Sequence, residues 1–410
     1  MKLTKSLAMT LAVLAMGATA NATETIYING STAFRVAALQ GISAVLGGAT
    51  PTAQSNATFN SSNAVNWMGV TYNGHTINVK VSFYGAAGGV QTVDQGIKWP
   101  FLADNATNAT AQAATFIPPV YSNTNPNAAP YTDFQVPVAA FADSYQSTTP
   151  YNASTLNDAP VGIVPFQWVA SYGAPAGLSL NNHLVNSIFS LGSASLATAT
   201  GNYTADNAKF LWALGRDADS GTRLIALSES GYGATTAVAQ YMPTLGTTSI
   251  TGHALTAAAT INNTPHGTGD GGFASGGNLA KAMRYETFNE ITGYYVTYLG
   301  KSDATTALSS GTVGAGNAVA VAWNGAQYYA GGGTFNDAAI TSGQYTFWST
   351  EHIVTQTLTP GTQAVAFIPA LVTAIAGTTA TTGTVSYSGI NLLAMTVSRS
   401  SDGGYVTQNY

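Results

Sequence analysis

Three times along this chain a strand-like run stops at a cluster of glycine and hydroxyl residues, and a helix-spaced run begins. "ETIYING" alternates polar and apolar side chains and passes into "STAFRVAALQGISAVLG", whose apolar residues recur at helical spacing after Ser31 and Thr32, both helix-capping types. "INVKVSFYG" gives way to "AAGGVQTVDQGI", and "KFLWALGRDADSGTRLIALSESGYG" reads as strand, turn and helix. Between and after them, "FQVPVAAFADS" and "APVGIVPFQWVAS" read as buried strands, "QYTFWSTEHIV" as a lead into a helix, and "INLLAMTVSRS" as a late strand. Such βα alternation folds as a layered α/β structure, which binds ligands where loops leave the strand ends.

Each of the three junctions ("GST" at 30–32, "GAAGG" at 85–89, "DSGT" at 219–222) puts small residues at a helix N-terminus. Free backbone N–H groups and a partial positive charge collect there, so such a loop can cradle an anion. Any one of them alone is ordinary capping. Arg216, in "GRDADSGTRLIAL", makes the third different. Lys and Arg number 12 and Asp and Glu 17 in 410 residues, so 7% of the chain is charged, against roughly a quarter in an ordinary soluble domain. Five arginines in all is few enough that each needs a reason.

The same scarcity excludes several functions. A net charge of -5 with no basic run offers no broad grip on nucleic acid or anionic lipid. The absence of cysteine removes disulfides, thiolate metal sites, a cysteine nucleophile and a lipid-bearing N-terminal cysteine. There is no G-x-S-x-G elbow, H-E-x-x-H or phosphate-loop lysine motif, and the expectation is a non-enzyme without cofactor or metal. "GTGDGG" at 267–272 matches G-x-G-x-x-G but follows "NNTPH" rather than a strand, and reads as a flexible loop. His253, His266 and Asp270 are one grouping that could ligate a metal, although scattered surface histidines are commoner. Glu351-His352, after "YTFW", reads as packing at a helix start rather than acid/base machinery.

"MKLTKSLAMTLAVLAMGATANATET" has Lys2 and Lys5 before an apolar stretch from Leu7 to Met16 and then small residues, the pattern of a secretory signal peptide. Cleavage after Ala20 or after Ala22 starts the mature chain near Asn21 or Thr23. "AVAFIPALVTAIAG" is shorter than the ~18 apolar residues of a membrane span and is broken by Pro369. The mature chain is expected to be periplasmic or secreted, with no membrane insertion.

In order, Gly30-Ser31-Thr32, "GAAGGVQ", "FADS", "RDADSGT", "GFASGGNLAKAM" and "ITGYYVTYLG" resemble the phosphate-binding proteins of bacterial phosphate ABC transporters, over nearly the whole mature chain. The most specific segment, Arg216 to Thr222, resembles that family's R-x-D-G-S-G-T. The resemblance implies an arginine fork on phosphate from Arg216, and donors at a helix N-terminus from Ser220, Gly221 and Thr222. It also implies contacts from Ser31, Thr32, Ala33 and Phe34 in the first loop and from Ala86 and Ala87 in the second. Asp143 of "FADS" would accept a hydrogen bond from a protonated phosphate oxygen. Since a carboxylate repels an anion that brings no proton, this residue would select hydrogen phosphate over sulfate. A helix-capping role for Asp143 with Ser144, and a salt bridge from Arg216 to Asp217 or Asp219, are the structural alternatives.

The chain departs from the family in three places. The motif's aspartate falls on Ala218, so Asp217 or Asp219 is expected to orient Arg216. Ala86 and Ala87 stand where the family has two serines, which keeps the N–H groups and loses a hydroxyl. The first loop's hydroxyl position falls on Ala33, leaving Ser31 or Thr32 to serve. The resemblance implies a two-lobed α/β periplasmic-binding-protein fold of type II with a hinge and an interlobe cleft. Residues 1–22 would be the signal peptide, 23–165 plus 340–410 one lobe, and 166–339 the other. Function would be capture of phosphate, or a similar tetrahedral oxyanion, for the membrane permease of an ABC transporter. A secreted surface or matrix protein that keeps the fold is the alternative, motivated by the low charge, the Asn/Thr/Gly-rich insertions and the two alanines.

Overall fold

The computed structural model describes residues 23–114, 129–261, 264–309, 316–377 and 389–409. The signal-peptide expectation lies outside them. The elements that frame the site are, in chain order, β1 (Glu24–Gly30), α1 (Arg35–Val45), β2 (Ala64–Tyr72), β3 (His75–Phe83), α2 (Ala86–Gln95), β4 (Ala139–Ala142) and β5 (Asn157–Ala170). They continue with β6 (Phe210–Ala213), α3 (Gly221–Glu229), α4 (Gly276–Ala282), β7 (Gly293–Gly300), α5 (Lys301–Ser309), β8 (Trp348–Thr355) and α6 (Ala364–Ala376).

A mixed sheet of twelve strands runs through the described residues, and its central order is β6-β7-β5-β8-β4-β1-β3-β2. β1 pairs in parallel with β3 and with β4, as βα units require, and β6 pairs in parallel with β7. β5 joins the two groups. Its first stretch, Asn157 to Pro165, lies antiparallel to β8, whereas Phe166 to Ala170 lies antiparallel to β7. Every residue from Val161 to Ala170 is buried, which accounts for the unbroken apolar run "VGIVPFQWVA".

Two close approaches set the spacing of the layers. Gly41 of α1 lies against Ile375 of α6 so tightly that a Cβ would overlap its side chain. Gly30 closes β1 at φ 115°, and a Cβ there would overlap the Phe141 carbonyl, so only glycine lets β1 turn into the first loop. Trp168 of β5 anchors the other group: it stacks on Trp323 and Phe347 at 5.6 and 5.2 Å and meets Tyr298 edge-on at 5.6 Å. Such aromatic pairs add about 0.5–1.5 kcal/mol each beyond buried area. Tyr298 carries this rigidity to the site, because its hydroxyl accepts the Arg216 N–H at 3.3 Å.

Some expectations are corrected. "STEHIV" belongs to a strand, β8, and all eight residues of β8 are buried. With both faces covered the segment shows no alternation, and its polar residues were misleading. In "INLLAMTVSRS" only Val397–Ser398 is strand. The 267–272 segment is a loop whose first two residues are exposed, but Gly269 to Gly271 are buried. Among the described residues no helix is long and apolar enough to cross a membrane.

Candidate functional site

Arg216 sits three residues beyond the end of β6, where the chain bridges to Phe273: Phe273 N–H donates to the Gly215 carbonyl at 2.9 Å, and Asp217 N–H to the Phe273 carbonyl at 3.1 Å. The guanidinium is held by backbone. Its Nε donates to the Phe273 carbonyl at 2.9 Å and its Nη2 to the Ala274 carbonyl at 2.8 Å, and the residue is 3% exposed. Nη1 points toward Gly276, 3.5 Å from where a Cβ would stand. Arg223 and Arg399 are buried too, but each pairs with a carboxylate, Asp270 and Glu229 respectively. Among the described residues Arg216 makes no such ion pair.

Asp217 and Asp219, expected to orient this arginine, do other work. Asp217 accepts from the Asp219 N–H at 3.2 Å and from the Tyr84 hydroxyl at 3.2 Å, and burial pushes its carboxyl up while Arg216 pulls it down. Asp219 docks the second loop: its carbonyl accepts the Ala87 N–H at 3.2 Å, and its carboxylate lies against Gly88 so closely that a Cβ there would overlap it. Carbonyls, which sequence cannot single out, replaced the expected carboxylates.

The second and third loops and Asp143 meet at the start of α3. Ser220 caps the helix by accepting the Arg223 N–H at 3.3 Å, and the N–H groups of Gly221 and Thr222 belong to the first turn, which has no intrahelical acceptors. A Cβ on Gly221 would overlap the Asp143 carboxylate and stand 2.7 Å from Ala86 Cβ, so only glycine admits the carboxylate here. Thr222 donates its hydroxyl to Asp143 Oδ2 at 3.3 Å. Asp143 is 1% exposed and its Oδ1 has no hydrogen-bond partner. Burial pushes its carboxyl up to about 6, and Arg216 and Thr222 pull against that rise while Asp402 adds to it. The result is a buried donor set with one acceptor.

The first loop is divided. Ser31 is buried and joined to β4 through its N–H to the Phe141 carbonyl at 2.8 Å, two residues from Asp143. Phe34 is a core side chain, its ring 6.3 Å from that of Phe141, so only its backbone could serve a ligand. Ala33 lies near Gly300, 3.5 Å from where a Cβ would be. Thr32 lines a polar cavity of about 270 Å³ shared with Arg35 and Asn63 on one side and Ser275, Ser302 and Asp303 on the other.

Arg35 and Asp303 were not singled out in the sequence. Arg35 opens α1, where the helix dipole disfavours a cation, and donates to Asn63 Oδ1 at 2.5 Å and to the Asn60 carbonyl at 3.4 Å. Asp303 lies in the first turn of α5; burial raises its carboxyl, and Arg35 and Arg216 oppose the rise. Scarcity of charge was a signal available for Arg35. Asp303 reaches the cavity only through the fold. The metal grouping does not assemble: His266 Nδ1 meets Asp270 at 2.7 Å, whereas His253 Nδ1 meets the Tyr295 hydroxyl at 2.7 Å. Among the described residues no three His, Asp or Glu side chains are placed to hold a metal ion.

No protein-family model and no curated protein sequence matches the chain. Among solved structures it is similar to an ABC-type phosphate transport receptor from Vibrio cholerae, with 12% identity, a TM-score of 0.42, and 85% of this chain and 93% of that one covered. It is also similar to a putative phosphate ABC transporter substrate-binding protein with bound phosphate from Clostridium perfringens, with 12% identity, a TM-score of 0.44 and the same coverage. A possible phosphate-binding protein from Planctomyces limnophilus has 12% identity and a TM-score of 0.41, with 91% and 95% covered.

Proposed function

We propose that the protein is an extracytoplasmic solute-binding protein that takes inorganic phosphate, or a related tetrahedral oxyanion that carries a proton. The observation that carries this reading is Arg216: a buried guanidinium fixed by two carbonyls, with no carboxylate at ion-pair distance among the described residues. A buried guanidinium without a direct ion pair keeps the capacity to pair with a bound anion, which stabilises the folded state by binding. Donors at the start of α3 suit the other oxygens, and Asp143 suits the proton.

In this reading the ligand is clasped between 23–165 plus 340–410 and 166–339, with a hinge where β5 leaves β8 for β7, and the closed form hands its cargo to a membrane permease. The exposed mouth is the polar cavity between Thr32 and Ser302. Calorimetric titration with phosphate, arsenate, sulfate and an alkylphosphonate tests it. Phosphate and arsenate should bind, with sulfate far weaker. Silence toward all four would end the reading and favour a secreted surface protein, the role to which the missing hydroxyls at Ala86 and Ala87 point.

A further inference from the structure

Among the described residues Glu351 is a buried carboxyl that the site described above does not use. It lies in the middle of β8, is 0% exposed, and neither carboxyl oxygen has a hydrogen-bond partner. β8 runs antiparallel to β4 with Val354 opposite Ala140, Ile353 opposite Phe141 and His352 opposite Ala142. The pairing ends there: Asp143 is the first residue past β4 and Glu351 the next residue of β8, so both stand just beyond the last paired position, and the Asp143 charge acts on Glu351. Asp143 Oδ1 is likewise buried without a partner.

We propose that Asp143 and Glu351 act as one carboxylate pair holding a single proton, in which Glu351 is a positioning residue that keeps Asp143 an ionised acceptor and sets an upper pH limit on ligand binding. The inference rests on the proposed role of Asp143 in oxyanion capture. Two carboxylates this close in a desolvated place cannot both ionise cheaply, and their protons belong to the pair. The groups facing them divide the proton unequally. Asp143 has Arg216 and the Thr222 hydroxyl from the β6–α3 segment, which favour its charge, and Asp402 from the C-terminal segment, which opposes it. Glu351 has Gly162 opposite it on β5, with no charge to offer, and Asp143 just past the end of β4. Burial and the Asp143 charge together hold the Glu351 carboxyl well above the ordinary range. The proton therefore rests on Glu351. Once it leaves, a second buried negative charge stands behind the first and works against an anionic ligand.

Two measurements on wild type, Glu351→Gln and Asp143→Asn test this. First, infrared spectra of ligand-free protein near neutral pH should show a protonated carboxyl in wild type that is lost in Glu351→Gln; its absence from wild type would overturn the pair whether or not phosphate binds. Second, phosphate affinity should be followed upward from about pH 8, where phosphate is a monohydrogen dianion, to the alkaline limit of the fold. In wild type it should fall by up to about tenfold per pH unit as Glu351 ionises, while Glu351→Gln stays nearly flat. Parallel profiles would overturn the role assigned to Glu351. If wild type shows the carboxyl band but binds no phosphate, the phosphate reading falls and the pair stands. If Asp143→Asn matches wild type in affinity and in phosphate-to-sulfate preference, Asp143 is not at the ligand and the proposed pH limit is overturned with it.

Discussion

Arg216 and Arg223 are seven residues apart, both are 3% exposed, and their surroundings differ in one respect that decides what each is for. Arg223 lies within α3 and is satisfied by Asp270, through the carboxylate and, at 3.0 Å, the carbonyl. Asp270 is tied in turn to the Val238 N–H at 3.0 Å and to His266 at 2.7 Å. The Arg216 side chain bonds only to carbonyls, and the carboxylates it acts on, Asp143, Asp217 and Asp303, stand beyond ion-pair distance. A guanidinium with a buried carboxylate is a structural part; one fixed by neutral dipoles is oriented without being neutralised, and it retains its attraction for an anion.

The comparison breaks first at Arg223. Arg223→Ala leaves Asp270 buried without its cation and should cost about 3–5 kcal/mol, read by urea unfolding. Arg216→Ala should stay within about 1 kcal/mol of wild type in the same experiment while losing about 100-fold or more in phosphate affinity, with lysine recovering only part. Equal destabilisation by the two would make Arg216 a second structural arginine.

Asp143 supplies the next test, and its sign follows from its carboxyl being raised to about 6, above the ordinary value of 3.8. Between those values the folded state holds more protons than the unfolded chain, so stability declines as pH rises through this window and is lowest above it. Asp143→Asn removes the burden and should stabilise ligand-free protein near neutral pH by on the order of 2 kcal/mol, with the gain vanishing below about pH 4. It should also narrow the preference for phosphate over sulfate, because an amide can donate to sulfate. Thermal unfolding across pH and competition titrations check the two halves. A smaller effect belongs to Ser220→Ala, which removes the α3 cap and should cost about 1 kcal/mol in unfolding with a lesser loss of affinity.

The strand, turn and helix around Arg216 were legible because the period changes from strand to helix across "GRDADSGT", and Ser220 is a capping type in the capping place. Charge scarcity made Arg216 visible for the same local reason. What holds its guanidinium was not legible, since the carbonyls of Phe273 and Ala274 are backbone atoms more than fifty residues away that any sequence would supply. Glu351 was misread because β8 is covered on both faces and lacks alternation, and its nearness to Asp143 comes from the packing of β8 beside β4 rather than from spacing in the sequence. Asp217 and Asp219 show the opposite error: adjacency suggested a salt bridge, and the turn sends both carboxylates toward Tyr84 and the second loop instead.

The central claim, that Arg216 is kept unpaired for an oxyanion, is tested most directly by nitrogen NMR of the arginine side chains during a phosphate titration, with Arg216→Ala assigning the signals. The Arg216 guanidinium should shift and its proton exchange slow as phosphate saturates, while Arg223, already satisfied by Asp270, stays in place. An Arg216 signal unmoved at saturating phosphate, or one that moves no more than that of Arg223, would contradict the account.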